Sequence, residues 1–282
     1  MARIDLGATI SAIEFPDEIW AWLDVLGAMI RVTDGEARRQ EMVFLADTPY
    51  KRVLLGSIHS HLSGLKAVYS LLRMELVSQA AGQARLLCEG VITLHYIAQE
   101  PESRSAAFLD YATIEAYEAA DALLRWESGS ADPEPTAALT QIRAALKTEH
   151  DHLRARYQFT DKKGETRRFA NWANRSLANM AGTGTSMERL YSLIYRQLSS
   201  YVHGSAWSFR HIPAYTPKYY DVNVVLSDIA QVVMGTAAVW QAFADFCDRQ
   251  LGWSLQEQVD AVATEIHRIA KVAHVSSAPR GT

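Results

Sequence analysis

Residues 185–204 read TSMERLYSLIYRQLSSYVHG. The stretch opens on Thr185, with Glu188 three residues later, the capping-box pattern in which each side chain satisfies the other's free backbone N–H. It closes on Gly204, a residue suited to the left-handed conformation that ends many helices. Between them, at about 100° per residue, Met187, Leu190, Tyr191, Ile194, Leu198, Tyr201 and Val202 fall on one side. Arg189, Ser192, Arg196, Ser199, Ser200 and His203 fall on the other. A single apolar stripe between two end signals predicts an amphipathic helix over 186–203, packed against other helices.

The same periodicity dominates the rest of the chain, and strand-like alternation is short and rare. Helices are expected from Pro16 to near Val32, and from near Val53 to Ala98 with a break or bend near Ser78. Others are expected from EPES (100–103) to near Trp126, from the loop SGSADPEPT (128–136) to near Tyr157, and over Val222–Leu251. The basic stretch up to Arg175 reads as irregular. The expected fold class is all-α, an antiparallel helical bundle. Its expected divisions are an N-terminal helical arm over 1–50, a bundle core over 51–252, and a C-terminal helix with a disordered tail over 253–282.

Composition narrows the function classes. The chain has 282 residues, 49% of them hydrophobic, enough for a sizeable core. Its formal charge of -4 gives no global basic footprint, so any polyanion site must be local. Its two cysteines, Cys88 and Cys247, sit in apolar helical patterns and suggest neither a disulfide framework nor a four-ligand zinc site. The opening MARIDLGATIS lacks a basic-then-apolar leader pattern, and no run approaches about 18 uninterrupted apolar residues. A cytoplasmic protein without a membrane span is expected.

An Arg seven residues before a His is not specific by itself. Arg52/His59, Arg143/His150 and Arg196/His203 all have that spacing, and Arg268/His274 is one residue shorter. The plain reading of Arg196/His203 is a solvated helix face with a histidine at the negative helix end. Context adds to it. The run LYSLIYRQLSSYVHGS (190–205) resembles the signature of a bacterial all-helical family, a domain of unknown function related to HEPN-type proteins. SQAAGQARLLCEGVITLHYIA (78–98), where Arg85 and Glu89 stand four apart, and FLDYATIEAYEAA (108–120) resemble the same family, and the similarity covers about 53–207.

That resemblance implies a HEPN-like helical core that often dimerises. In many HEPN proteins an Arg, the polar residue after it and a downstream His form a metal-independent ribonuclease site; here those positions are Arg196, Gln197 and His203. The chemistry is coherent. A neutral His203 would take the proton from an RNA 2′-hydroxyl, and Arg196 would hold the phosphate and stabilise its growing charge. The leaving 5′-oxygen needs a proton donor that one helix does not supply, so a homodimer is expected. Bacterial defence or stress response is the setting implied, with room for a partner protein. A non-enzymatic binding or scaffold protein on the same fold is the alternative.

Three further sets bear on function. Arg85 and Glu89 read either as a surface i,i+4 pair or as a semi-buried pair supporting Arg196, with Ser199 a further supporting residue. The segment 151–175 gathers seven basic residues against three acidic ones, interleaved with Tyr157, Phe159, Phe169 and Trp172. Lys162, Lys163, Arg167, Arg168 and Trp172 are its candidate RNA contacts. Metal chemistry is not expected: His150 and His152, like His59 and His61, are two apart and point about 200° apart on a helix. Glu149 with His152 has no second Glu-x-x-His. No cofactor motif is found.

Overall fold

The structure is a computed structural model, and it describes residues 17–41, 46–127, 133–202 and 222–276. In chain order these form α1 (Asp17–Glu41), α2 (Pro49–Arg73), α3 (Val77–Ile97), α4 (Pro101–Glu127) and α5 (Pro133–Arg156). A hairpin of β1 (Gln158–Thr160) and β2 (Thr166–Arg168) comes next, then α6 (Leu177–Ala181) and α7 (Ser186–Arg189). A π-helical turn (Leu190–Tyr195), α8 (Arg196–Val202), α9 (Val222–Leu251) and α10 (Gln256–Ser276) complete it. Among the described residues the fold is all-α apart from the small hairpin. Two compact units divide the chain, one of residues 1–43, 58–91 and 185–282, the other of 44–57 and 92–184.

In the first unit, α1 packs along α9 and α10. Trp22, Leu26 and Met29 of α1 and Val232, Trp240 and Phe243 of α9 are buried. So α1, the helix of the expected N-terminal arm, contributes to a core. The buried Trp240 indole donates to Thr33 Oγ1 at 2.9 Å, and Thr33 donates to the Met29 carbonyl at 2.8 Å. Each buried polar atom in that chain of bonds thus has a partner. His61 stacks on Phe243 with ring centroids 3.9 Å apart, and burial pushes its pKa down to about 3. Residues 223–251 of α9 are long and apolar enough to cross a membrane, yet 56% of their apolar 18-residue stretch is buried within the protein, as in a core helix.

Two boundaries differ from expectation. α1 continues past Val32 to Glu41, because Thr33 and Ala37, four apart, are buried while Asp34 pairs with Arg38 and Lys66. The break expected near Ser78 falls a few residues earlier, at Met74–Leu76, where Glu75 adopts a φ of +56°.

In the second unit, α4 and α5 pair antiparallel around Tyr111, Ile114, Leu153 and Tyr157. Phe169 and Trp172 pack against this cluster, and the Tyr111 hydroxyl donates to the Phe169 carbonyl at 2.9 Å. The segment expected to be irregular is therefore anchored, and part of it is the hairpin. Asp161 builds the turn: its side chain accepts from the N–H groups of Lys163 (2.8 Å) and Glu165 (3.0 Å), and Gly164 takes a φ of +80°. All six strand residues are exposed, so no alternating burial marked them in the sequence.

Candidate functional site

The helix that starts at residue 186 begins as expected. Thr185 is its N-cap, and Thr185 Oγ1 accepts from the Glu188 N–H at 3.1 Å. It is not a uniform α-helix. The six residues Leu190–Tyr195 form a π-helical turn, in which the Arg196 N–H reaches back to the Tyr191 carbonyl. A π turn inserts one residue and rotates the downstream side chains by roughly 100°. Met187, Leu190, Leu198 and Tyr201 are buried as the stripe requires, but Val202, placed on the stripe by α-periodicity, is 42% exposed. The helix is described as far as Val202; His203 and Gly204 lie outside the described residues.

On one side the helix meets α3, running antiparallel to it. A Cβ placed on Gly82 would touch Val202 at 3.4 Å, and the Arg85 guanidinium lies 5.1 Å from the Tyr195 ring centroid. Arg85 Nε and Nη2 reach Glu89 Oε1 at 3.1 and 3.0 Å, and the Tyr195 hydroxyl hydrogen-bonds within the same group. Burial, with the Glu89 charge behind it, raises the Tyr195 pKa. Burial opposes the Arg85 charge, but Tyr195 and Glu89 outweigh it and hold the Arg85 pKa above its usual value. The Arg85/Glu89 pair thus braces Tyr195, the residue before Arg196. Tyr195 also stacks on Tyr191 at 5.0 Å across the π turn.

On another side the helix meets α9. Tyr201 Oη lies 3.1 Å from both Asp228 Oδ1 and Gln231 Oε1, and Gln197 Nε2 donates to Gln231 Oε1 at 3.0 Å. A Cβ on Gly235 would sit 3.6 Å from Ile194 and Leu198. Ser199 is locally engaged, its hydroxyl donating to the Tyr195 carbonyl at 2.7 Å. The Arg196 side chain is exposed and makes no hydrogen bond or ion pair among the described residues. Tyr195, Asp228 and Gln231 escaped the sequence reading. Asp228 carried a signal, an ionisable residue inside the apolar run of a core helix, which needs a buried partner.

The basic segment is only partly open. Lys162, Lys163 and Arg168 are exposed on the hairpin. Arg167 is paired with Asp161 at 2.6 Å and Glu165 at 2.7 Å, and the Arg167 hydrogen bond lowers the Asp161 pKa. Trp172 sits edge-on to Phe108 at 5.3 Å and to Tyr96 at 5.8 Å, as an anchor in the small core. Another Arg/His pair shows how the spacing serves structure: His150 stacks on Tyr117 at 3.9 Å, and Arg143 Cζ lies 5.9 Å from the same ring centroid. Among the described residues, no three His, Cys, Asp or Glu side chains gather as a metal-ion group.

The braced helix, α3 against it and the α4–α5 pair fall within one family span. The family of unknown function DUF5677 matches residues 52–213, more than half of the chain. The chain belongs to that family. No curated protein and no solved structure matches it.

Proposed function

We propose that this protein is a metal-independent endoribonuclease working on RNA in bacterial defence or stress response, as a cytoplasmic homodimer. One observation supports it most. The Arg196 guanidinium is exposed with no partner among the described residues, while its neighbours Tyr195 and Gln197 are tied to α3 and α9. A cation left without a counter-charge on an otherwise braced segment is suited to an anionic ligand. The resemblance of 190–205 to HEPN-type signatures supports the same reading.

In this reading His203 removes the 2′-hydroxyl proton, the 2′-oxygen attacks the adjacent phosphorus, and the P–O5′ bond breaks. The products are a 2′,3′-cyclic phosphate and a 5′-hydroxyl. Arg196 stabilises the phosphate oxygens, and the second protomer's His203, entering as the imidazolium, protonates the leaving oxygen and is left neutral. The test is single-turnover cleavage of several RNAs in EDTA. Arg196→Ala and His203→Ala should each lower the rate by about 10²- to 10⁴-fold without loss of helicity. Equal activity in all three proteins would overturn it.

A second reading, a non-enzymatic helical scaffold, is favoured by one observation. Trp126 near the end of α4 is 78% exposed, with Leu123 and Ile142 also exposed in that unit. Wild-type protein inactive on every RNA tried would favour it.

A further inference from the structure

The helix α4 carries two apolar faces, and packing within its unit uses one of them. Ile114 and Tyr117 are buried in the seam with α5, where Ile114 joins the Leu153 cluster and Tyr117 stacks on His150. At about 100° per residue, Ala112, Ala116, Ala119, Leu123 and Trp126 fall within about 80° of one another on the opposite side. All five are exposed, and α4 is unbroken α-helix from Pro101 to Glu127, so the α-periodicity holds along the whole face. Trp126 is 78% exposed and Leu123 47%, whereas large apolar side chains at three- and four-residue spacing mark a helix face that packs on a partner. Phe108, also exposed, lies on the same line one turn before Ala112.

The order of sizes along this face points to its partner. Alanines fill its middle and first half, and Leu123 and Trp126 fill its last turn. An inverted copy of the same face matches it, large against small. With a two-fold axis between residues 117 and 118, Leu123 lies level with the partner's Ala112, and Ala116 with the partner's Ala119. Trp126 lies level with the turn that carries the partner's Phe108. Alanines at the centre let two helices approach to the short end of the usual spacing, roughly 8 Å. A parallel copy would instead set Trp126 beside Trp126 and leave the alanine half loosely packed. Charge excludes other occupants. None of the five residues is charged, and the exposed charge at their margin is Glu115, an acid, which suits neither a phosphate backbone nor an anionic membrane.

We infer that α4 is a self-association surface, on which a second copy of this chain packs its own α4 antiparallel, crossing at Ala116 and Ala119. The inference rests on the homodimer of the reading above and names the face through which it forms.

The experiment is light scattering with sedimentation equilibrium on the full chain at micromolar concentration, where wild type should be a dimer. Ala119→Glu puts a charge at the crossing from an exposed position, so it should give a monomer of unchanged helicity. Leu123→Ala and Trp126→Ala should each raise the dimer dissociation constant by roughly 30-fold or more, as buried interface anchors do. Ala112→Leu should also break the dimer, by overfilling the space that takes Leu123. The double variant Ala112→Leu/Leu123→Ala exchanges large for small and should restore it. A dimer that persists unchanged in Ala119→Glu, or that the double variant fails to restore, overturns this inference and leaves the homodimer reading standing. A monomeric wild type overturns both.

Discussion

The guanidinium of Arg85 lies over the ring of Tyr195, 5.1 Å from its centroid, and Tyr195 is the last residue of the π turn, directly before Arg196. The pair joins α3 to the helix that carries the candidate site, with Glu89 as the shared anion. Arg85→Ala should leave Glu89 partly buried without its cation, which costs about 1–3 kcal/mol in urea unfolding. Arg85→Lys should recover part of that loss, since an ammonium keeps the charge but not the planar fork. An alanine variant as stable as wild type would remove Arg85 from the structural account.

Two glycines should respond in opposite directions. A Cβ on Gly64 would lie 2.4 Å from Leu87 Cδ2, and Leu87 is buried. Gly64→Ala should therefore destabilise, by about 1–3 kcal/mol, as an overpacked core does. Gly90 is exposed on α3 with nothing within 4 Å, so Gly90→Ala should stabilise by roughly 0.5–1 kcal/mol through helix propensity. Urea midpoints for both variants check the contrast.

His61 makes stability fall in mild acid. Its folded pKa is pushed to about 3 by burial, from an ordinary value of 6.5. Between those values the unfolded chain binds a proton that the folded one excludes, so stability drops as pH falls below about 6.5. The contribution of one such group is about 1.4 kcal/mol per pH unit. His61→Leu should flatten the pH 5–7 dependence of the unfolding free energy by that amount, whatever it does to stability at pH 7. An unchanged slope would show that the imidazole gains a proton in the folded state.

The hairpin cations should separate by their partners. Lys162, Lys163 and Arg168 are exposed, while Arg167 is held by Asp161 and Glu165. If the hairpin meets RNA, replacing the first three by Ala should lower the log–log salt slope of binding by roughly 2, at about 0.7 per lost phosphate contact. Arg167→Ala should change the slope less and instead loosen the turn that Asp161 organises. Slopes equal to wild type in the triple variant would take the hairpin out of the binding surface.

Legible in the sequence were the features that a single residue pattern decides. The Thr185/Glu188 cap and the Met187, Leu190, Leu198 and Tyr201 stripe marked a helix and its inner face. α9 was evident from its apolar run. The hairpin was hidden because its turn depends on Asp161 bonding two backbone N–H groups, with no buried strand face to announce it. The end of α1 was hidden because ion pairs and the buried Thr33 and Ala37 carry a stretch that reads as polar. Of the candidate site, Arg196 and Gln197 could be picked out by position, but the braces on either side belong to α3 and α9 and required the packing.

The π turn carries a consequence for comparing this chain with its relatives. A helix that absorbs one surplus residue between Leu190 and Tyr195 keeps its cap and its far end in place while the count between them changes. A family member lacking that surplus residue would place its arginine correctly in space only if the alignment opens a gap inside the turn. Gapless alignment from the threonine cap would compare residues a hundred degrees apart and mistake a shared face for divergence.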